Sequence, residues 1–233
     1  ALINRLGFNN DGMEIIKSRI KLEKKEGILG VNIGPNKNTK DKKNDFYLGF
    51  KNFLDIADYI TINISSPNTE GLRDFHNQEK LIDLLSTLNK IKQKNKTNTP
   101  LLLKISPDIQ DSDIPKIVDA AIKNNISAMV ITNTTNVNRD NLISDMKKEE
   151  GGLSGEPIQK VSTNMIKKFY KQLNNKIPII GVGGINSGKS AYEKIVAGAS
   201  LLQLYTGFVY KGPLIVKNIK KELIQILKNE GIK

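Results

Sequence analysis

Six short β-branched runs, each followed by an amphipathic helical stretch or a loop, predict an α/β fold with parallel strands and crossover helices. Each run also ends in a polar or glycine-rich cluster. In an open doubly wound sheet only the strands at the switch point should carry such clusters. In a (β/α)8 barrel all the C-terminal strand ends converge on one site. The pattern therefore predicts a (β/α)8 barrel. About six of its eight strand–helix units are visible, so residues 1–233 read as one catalytic domain truncated at its N-terminal side.

The elements justify this in chain order. ALINRLGFNN (1–10) reads as a site loop. ILGVNIG (28–34) is the first strand and carries Asn32. DYITINIS (58–65) is the second, and it breaks into Asn63, Ser65, Ser66, Pro67, Asn68 and Thr69. A bland turn needs one or two such residues; this crowd of small hydrogen-bonding groups points to a surface that holds something polar. An amphipathic stretch at 79–93 leads to PLLLKIS (100–106), an apolar strand that ends in Lys104. The next helix, 111–125, has Asp111 or Ser112 as its expected cap. SAMVITNT (127–134) brings Thr132 to Thr135, then an irregular stretch occupies 136–160. A loop of that length in a compact domain is usually functional or mobile. Helix 161–173, strand IPIIGVGG (177–184), helix 191–199, strand SLLQLYTG (200–207) and helix 213–229, with Pro213 in its first turn, complete the chain.

Composition narrows the chemistry. With no cysteine there is no disulfide, thiolate zinc site or cysteine base, which fits a reducing compartment. No apolar run reaches the ~18–20 residues that span a bilayer, and no secretory signal pattern is visible. The net charge is +12. The lysines fall in groups at 21–27, 37–45, 89–98 and 217–223, beside Asn, Asp or Glu and without interleaved aromatics. They read as solvated surface, not as a nucleic-acid interface.

The glycines of GVGGI (181–185) and LYTGF (204–208) stand at the ends of the last two strands. They let backbone amides approach a ligand, and a phosphate between the last two loops is a recurring barrel device. Lys104 at a barrel mouth is costly unless it meets an anion or an electron-rich ring. Asn4, Asn32, Asn63, Asn68 and Asn133 are amides that both donate and accept, which suits a planar imide-bearing ligand. They do not suit a metal, which calls for carboxylates or histidines. His76 is the only histidine and has no titratable partner beside it, so it reads as structural. Ser66, held by Pro67, is then the leading candidate to move a proton.

TINISSPNTEGLR, VITNTT, GGLSGEP, IPIIGVGGI and GASLLQLYTGF resemble the motifs of the dihydroorotate dehydrogenases, and NRLGFNN and LGVNIGPNK match in the same order. The resemblance covers essentially the whole chain. It implies a TIM barrel with FMN at its C-terminal mouth. Dihydroorotate, an intermediate of de novo pyrimidine biosynthesis, would give a hydride to the flavin and a proton to Ser66. The class 1 enzymes carry Cys at that position, so Ser66 places the chain with the class 2, quinone-reducing branch. Position by position, the resemblance gives Asn4, Arg5, Leu6, Gly7, Phe8, Asn63, Asn68, Asn133 and Thr134 to the substrate. It gives Asn32, Asn63, Lys104, Thr132, Gly155, Gly184, Tyr205 and Thr206 to FMN.

The family's first two strands, with a flavin-contacting glycine loop and a lysine, have no counterpart here. Neither does its N-terminal helical element, through which the class 2 enzymes meet membrane quinone. Peripheral attachment to the cytosolic face of the inner membrane is expected only through that element. The competing readings are another phosphate-binding barrel, an isomerase or lyase that uses Gly183 and Gly184 for a substrate phosphate, and a non-enzymatic basic binding module. Flavin colour separates the first from the dehydrogenase, and salt-sensitive nucleic-acid binding identifies the second.

Overall fold

The computed structural model describes residues 1–23, 26–69, 71–137 and 139–231. In chain order its first elements are β1 (Leu2–Asn4), α1 (Met13–Leu22), β2 (Gly30–Ile33), α2 (Lys42–Phe53), β3 (Tyr59–Asn63), α3 (Gln78–Lys94), β4 (Leu101–Ile105) and α4 (Ile114–Lys123). There follow β5 (Ala128–Ile131), β6 (Gly152–Ser154), α5 (Gln159–Leu173), β7 (Ile179–Val182), α6 (Gly188–Val196), β8 (Leu201–Gln203), α7 (Thr206–Lys211) and α8 (Ile215–Asn229). The six expected strands, β2-β3-β4-β5-β7-β8, follow one another in chain order in one sheet. The β2–β3, β3–β4 and β7–β8 ladders are parallel. β1 and β6 pair antiparallel in a separate ribbon.

Packing divides the chain into two compact units, residues 6–104 with 109–129, and residues 1–5 with 105–108 and 130–233. In the first, pleat alternation sorts the strands into two faces. Ile60, Ile62, Leu101 and Leu103 point one way and are fully buried. In α3, Leu81, Leu84, Leu85 and Leu88 recur at helical spacing and are also fully buried. Asn77 caps α3 by accepting from the backbone N–H groups of Glu79 and Lys80. Phe46 of α2 meets Phe75 edge to face, with ring centroids 5.7 Å apart.

The expected cap of the 111–125 helix is corrected by the structure. A 3-10 turn occupies Asp111–Asp113, so α4 begins at Ile114, with Pro115 in its first turn. Asp113 stands at the N-cap without a side-chain capping bond, and its carboxylate instead meets Lys116 at 3.1 Å.

In the second unit, Ile166 and Phe169 of α5 are fully buried. Ser187 and Ser190 form a reciprocal capping box that starts α6. α6 lies close on α8: a Cβ at Gly188 would sit 2.3 Å from Glu222 Cβ, and Gly188 N–H donates to Glu222 Oε2 at 2.5 Å. Two expectations move here. The β8 run stops at Gln203, and its continuation forms the short helix α7. Pro213 precedes α8 instead of opening it, because Gly212, at φ 71, ends α7 and a turn spans 213–214. Leu201, on the terminal strand β8, is 64% exposed.

Candidate functional site

The expected site residues divide between the units. Leu6, Gly7, Phe8, Asn32, Asn63, Ser66, Asn68 and Lys104 lie in the first, and Asn4, Arg5, Thr132, Asn133, Thr134, Gly155, Gly184, Tyr205 and Thr206 in the second.

In the first unit the parallel register pairs Asn32 with Thr61, and Asn63 with Lys104. Paired residues share a face, as do residues two apart in one strand. Asn32, Thr61, Asn63 and Lys104 therefore form a polar row on the face opposite the apolar core residues. Lys104 is half-buried, and burial holds its ammonium below the usual lysine range. It makes no hydrogen bond or ion pair among the described residues.

Beyond β3 the polar loop turns inward. Asn63, Ser65, Ser66 and Thr69 are all buried. Asn63 Oδ1 accepts from Ser65 N–H at 3.2 Å and from Ser65 Oγ at 2.9 Å. Ser66 Oγ accepts the N–H of Asn68 at 3.2 Å. Side chains thus supply turns that the backbone alone would leave loose. Gly7 and Phe8 both have positive φ, and the Phe8 ring lies so close to Gly34 that a Cβ there would approach it to 2.9 Å. Leu6 is 61% exposed. His76 is half-buried at the end of a 3-10 turn over Leu72–His76.

In the second unit, β1 and β6 set Asn4 opposite Gly152 and Leu2 opposite Ser154. Thr135 bridges to Leu153 on β6. The segment before it is fixed by backbone bonds from Thr132 N–H to Val182 O and from Asn133 N–H to Ile105 O, each 2.9 Å. Thr134 N–H donates to Asn133 Oδ1 at 2.8 Å. Gly155, at φ 93, faces Thr206: a Cβ there would lie 3.0 Å from Thr206 Cγ2. Thr206 Oγ1 in turn bonds Ser154 Oγ at 2.8 Å. Gly184, at φ 73, abuts Gln159 at the start of α5, where an added Cβ would meet backbone at 2.7 Å. Tyr205 is 67% exposed at the N-terminus of α7 and makes no side-chain cap there.

An open cavity of about 1320 Å³ in this unit takes in Arg5, Asp140, Ile143, Glu149 and Lys160, but not Asn4, Asn133 or Thr134. Of the expected substrate residues of this unit it collects Arg5 alone. Sequence reasoning passed over three side chains of this unit. Lys194 is fully buried and Asp108 accepts from Thr135 Oγ1 at 2.5 Å, while Arg139 binds a row of backbone carbonyls. A lysine inside an amphipathic helix and an arginine in a long loop both read as surface until their partners are seen.

Among the described residues no group of three or more acidic or histidine side chains could hold a metal ion, and no helix is long and apolar enough to cross a membrane. The strand order and the polar row define the class, an α/β protein of the (β/α)8 kind with polar groups at its strand ends. Residues 1–227 match the family profile described as dihydroorotate dehydrogenase, and the chain belongs to that family. It is 42% identical over 236 residues to a dihydroorotate dehydrogenase (quinone) of Bartonella tribocorum, an alignment that covers 100% of this chain and 66% of that protein. It is 46% identical over 231 residues to the Vibrio cholerae serotype O1 protein of the same name, covering 96% and 68%. The ligand-free DHODH crystal structure from Eimeria tenella superposes with a TM-score of 0.93 at 35% identity, over 99% of this chain and 70% of that one. The chain thus spans 66% of the Bartonella relative's length.

Proposed function

We propose that the protein oxidises (S)-dihydroorotate to orotate, with FMN as the hydride acceptor and a quinone as the second acceptor. The observation that carries this reading is Lys104. A cation partly withdrawn from water, without a counter-ion among the described residues, on a strand face shared with Asn32 and Asn63, needs an electron-rich partner. A flavin ring that gains negative charge on reduction meets that need.

The residues fit the group in a second place. Gly155 and Gly184 hold positive φ where a side chain would collide with Thr206 or Gln159. Gly155 and Thr206 thereby leave backbone and a hydroxyl together, as a phosphate requires. Gly155, Gly184, Tyr205 and Thr206 would hold the phosphate and ribityl chain, and Asn32, Asn63, Lys104 and Thr132 the ring. When bound, FMN supplies the acceptor for the hydride that leaves C6 of dihydroorotate.

The chain's own residues do the rest. Ser66 Oγ takes the proton from C5, so that loss of a proton and a hydride leaves the C5–C6 double bond of orotate. Asn63, Asn68, Asn133 and Thr134, with Asn4, Arg5, Leu6, Gly7 and Phe8, bind the substrate ring and carboxylate. On this reading residues 1–233 act as one catalytic domain. The quinone and a peripheral attachment to the cytosolic face of the inner membrane complete the proposal. The quinone rests on the names of the relatives, dihydroorotate dehydrogenase (quinone).

The test is the protein expressed from its complete gene. It should purify yellow, and the flavin released on denaturation should be FMN. A colourless protein that turns over a phosphorylated substrate would point to an isomerase or lyase instead.

A further inference from the structure

We propose that Arg139 is a positioning residue for the substrate, which it orders through the backbone of the long loop before β6. The inference rests on the reading of Asn4, Asn133 and Thr134 as substrate ligands. The guanidinium of Arg139 converges on three carbonyls at alternate positions. Nη1 donates to Glu149 O and, at 3.4 Å, to Lys147 O, while Nη2 donates to Gly151 O. A planar fork can serve such a row, whereas a lysine ammonium is a point charge on a flexible stem.

Few apolar side chains of this loop are buried. Ile143 is 100% exposed, and Val137 and Met146 are exposed as well, so apolar burial contributes little to its order. A second long-range tie is Arg5, which reaches Glu149 Oε2 at 2.9 Å and Glu150 O at 3.3 Å in an exposed pair. Exposed pairs of this kind contribute little to stability.

The end that Arg139 fixes leads to the site on two sides. Gly151, at φ 130, lies so close to β1 that a Cβ there would stand 2.3 Å from Asn4 O, and the next residue, Gly152, pairs with Asn4. On β6, Leu153 exchanges both backbone bonds with Thr135, at 2.6 and 3.1 Å. Thr135 directly follows Asn133 and Thr134. Arg139 therefore anchors the short strand that joins the backbone of Asn4 to the segment carrying Asn133 and Thr134. Without the fork, residues 147–151 lose three ties, and the register of β6 against β1 and Thr135 loosens.

The experiment compares wild type, Arg139→Ala and Arg139→Lys in the flavin-loaded protein from the complete gene. Two readings are taken: KM against kcat for dihydroorotate, and hydrogen exchange of the amides of residues 151–154. The Ala variant is expected to keep its flavin content, exchange those amides faster and raise KM about tenfold, since small misplacement of binding groups is costly. The Lys variant should recover only part of either effect. Unchanged KM and unchanged exchange in a folded Ala variant would overturn the proposal. If the Ala variant does not fold, the Lys variant decides by the same two readings. If wild-type flavin is not reduced by dihydroorotate at all, the functional reading itself fails, while faster exchange in the variant still establishes the anchor and unchanged exchange removes it.

Discussion

Ser66 Oγ accepts the backbone N–H of Asn68 at 3.2 Å across the single residue Pro67. The hydroxyl is buried, and this bond with the restricted backbone before proline sets its direction. One lone pair is engaged and the other remains to take a proton. Ser66→Ala should therefore leave the bound flavin in place and slow its reduction by dihydroorotate about 10²–10⁴-fold. Ser66→Cys should retain some activity with a shifted pH profile, because a thiol titrates nearer neutrality. Stopped-flow bleaching reads both, and near wild-type bleaching by the Ala variant would remove Ser66 from the mechanism.

Lys104 faces the same side of the sheet as its register partner Asn63. Replacing it with Ala should lower flavin content in the purified protein, or leave a flavin that is harder to reduce. Flavin-to-protein ratio and reduction potential check this. If both are unchanged, Lys104 has no part in cofactor binding.

Gly184 tests the glycine turn after β7. A Cβ there would meet Gln159 backbone at 2.7 Å, in a backbone region that L side chains rarely adopt. Gly184→Ala should destabilise the fold by about 1–3 kcal/mol and weaken FMN binding. Gly212 also has positive φ but has open space around it, so Gly212→Ala should cost less and leave FMN binding unchanged. Denaturant melts and FMN titrations of the two variants give the contrast. Equal flavin affinity in both would separate this turn from the cofactor.

Lys194 offers a pH signature. Its Nζ donates to Gln159 O at 2.8 Å and to Thr163 Oγ1 at 2.7 Å, both neutral groups of α5. Burial lowers its pKa from 10.5 to about 8, opposed by the carboxylate of Glu193. Below pH 8 the lysine is charged in both folded and unfolded chains. Between about 8 and 10.5 the unfolded chain binds more protons, so this group's contribution makes stability rise with pH across that window. Unfolding free energies from pH 7 to 10 should show the added slope in wild type and lose it in Lys194→Met. The same slope in both would contradict the assignment.

The strands were legible because period-two alternation and β-branched content act locally, and Ile60, Ile62, Leu101 and Leu103 are buried as that pattern requires. The helices α3, α5 and α8 were legible from apolar spacing. α1 buries none of its residues fully and α2 interrupts its stripe with Gly49, so neither carried a comparable signal. The β1–β6 ribbon joins residues about 150 apart through two short strands, and no local pattern encodes such a pairing. At the site, Ser66 and Lys104 stood out as polar groups ending apolar runs. Arg139 and Lys194 did not, because their roles come from carbonyls and a hydroxyl that the fold delivers from elsewhere.

The most direct measurement is an anaerobic titration of the protein from its complete gene with (S)-dihydroorotate. A bound FMN should bleach in step with added substrate, and each flavin reduced should yield an equal amount of orotate. A flavin that stays oxidised in excess dihydroorotate, or bleaching without orotate, would contradict the proposed function.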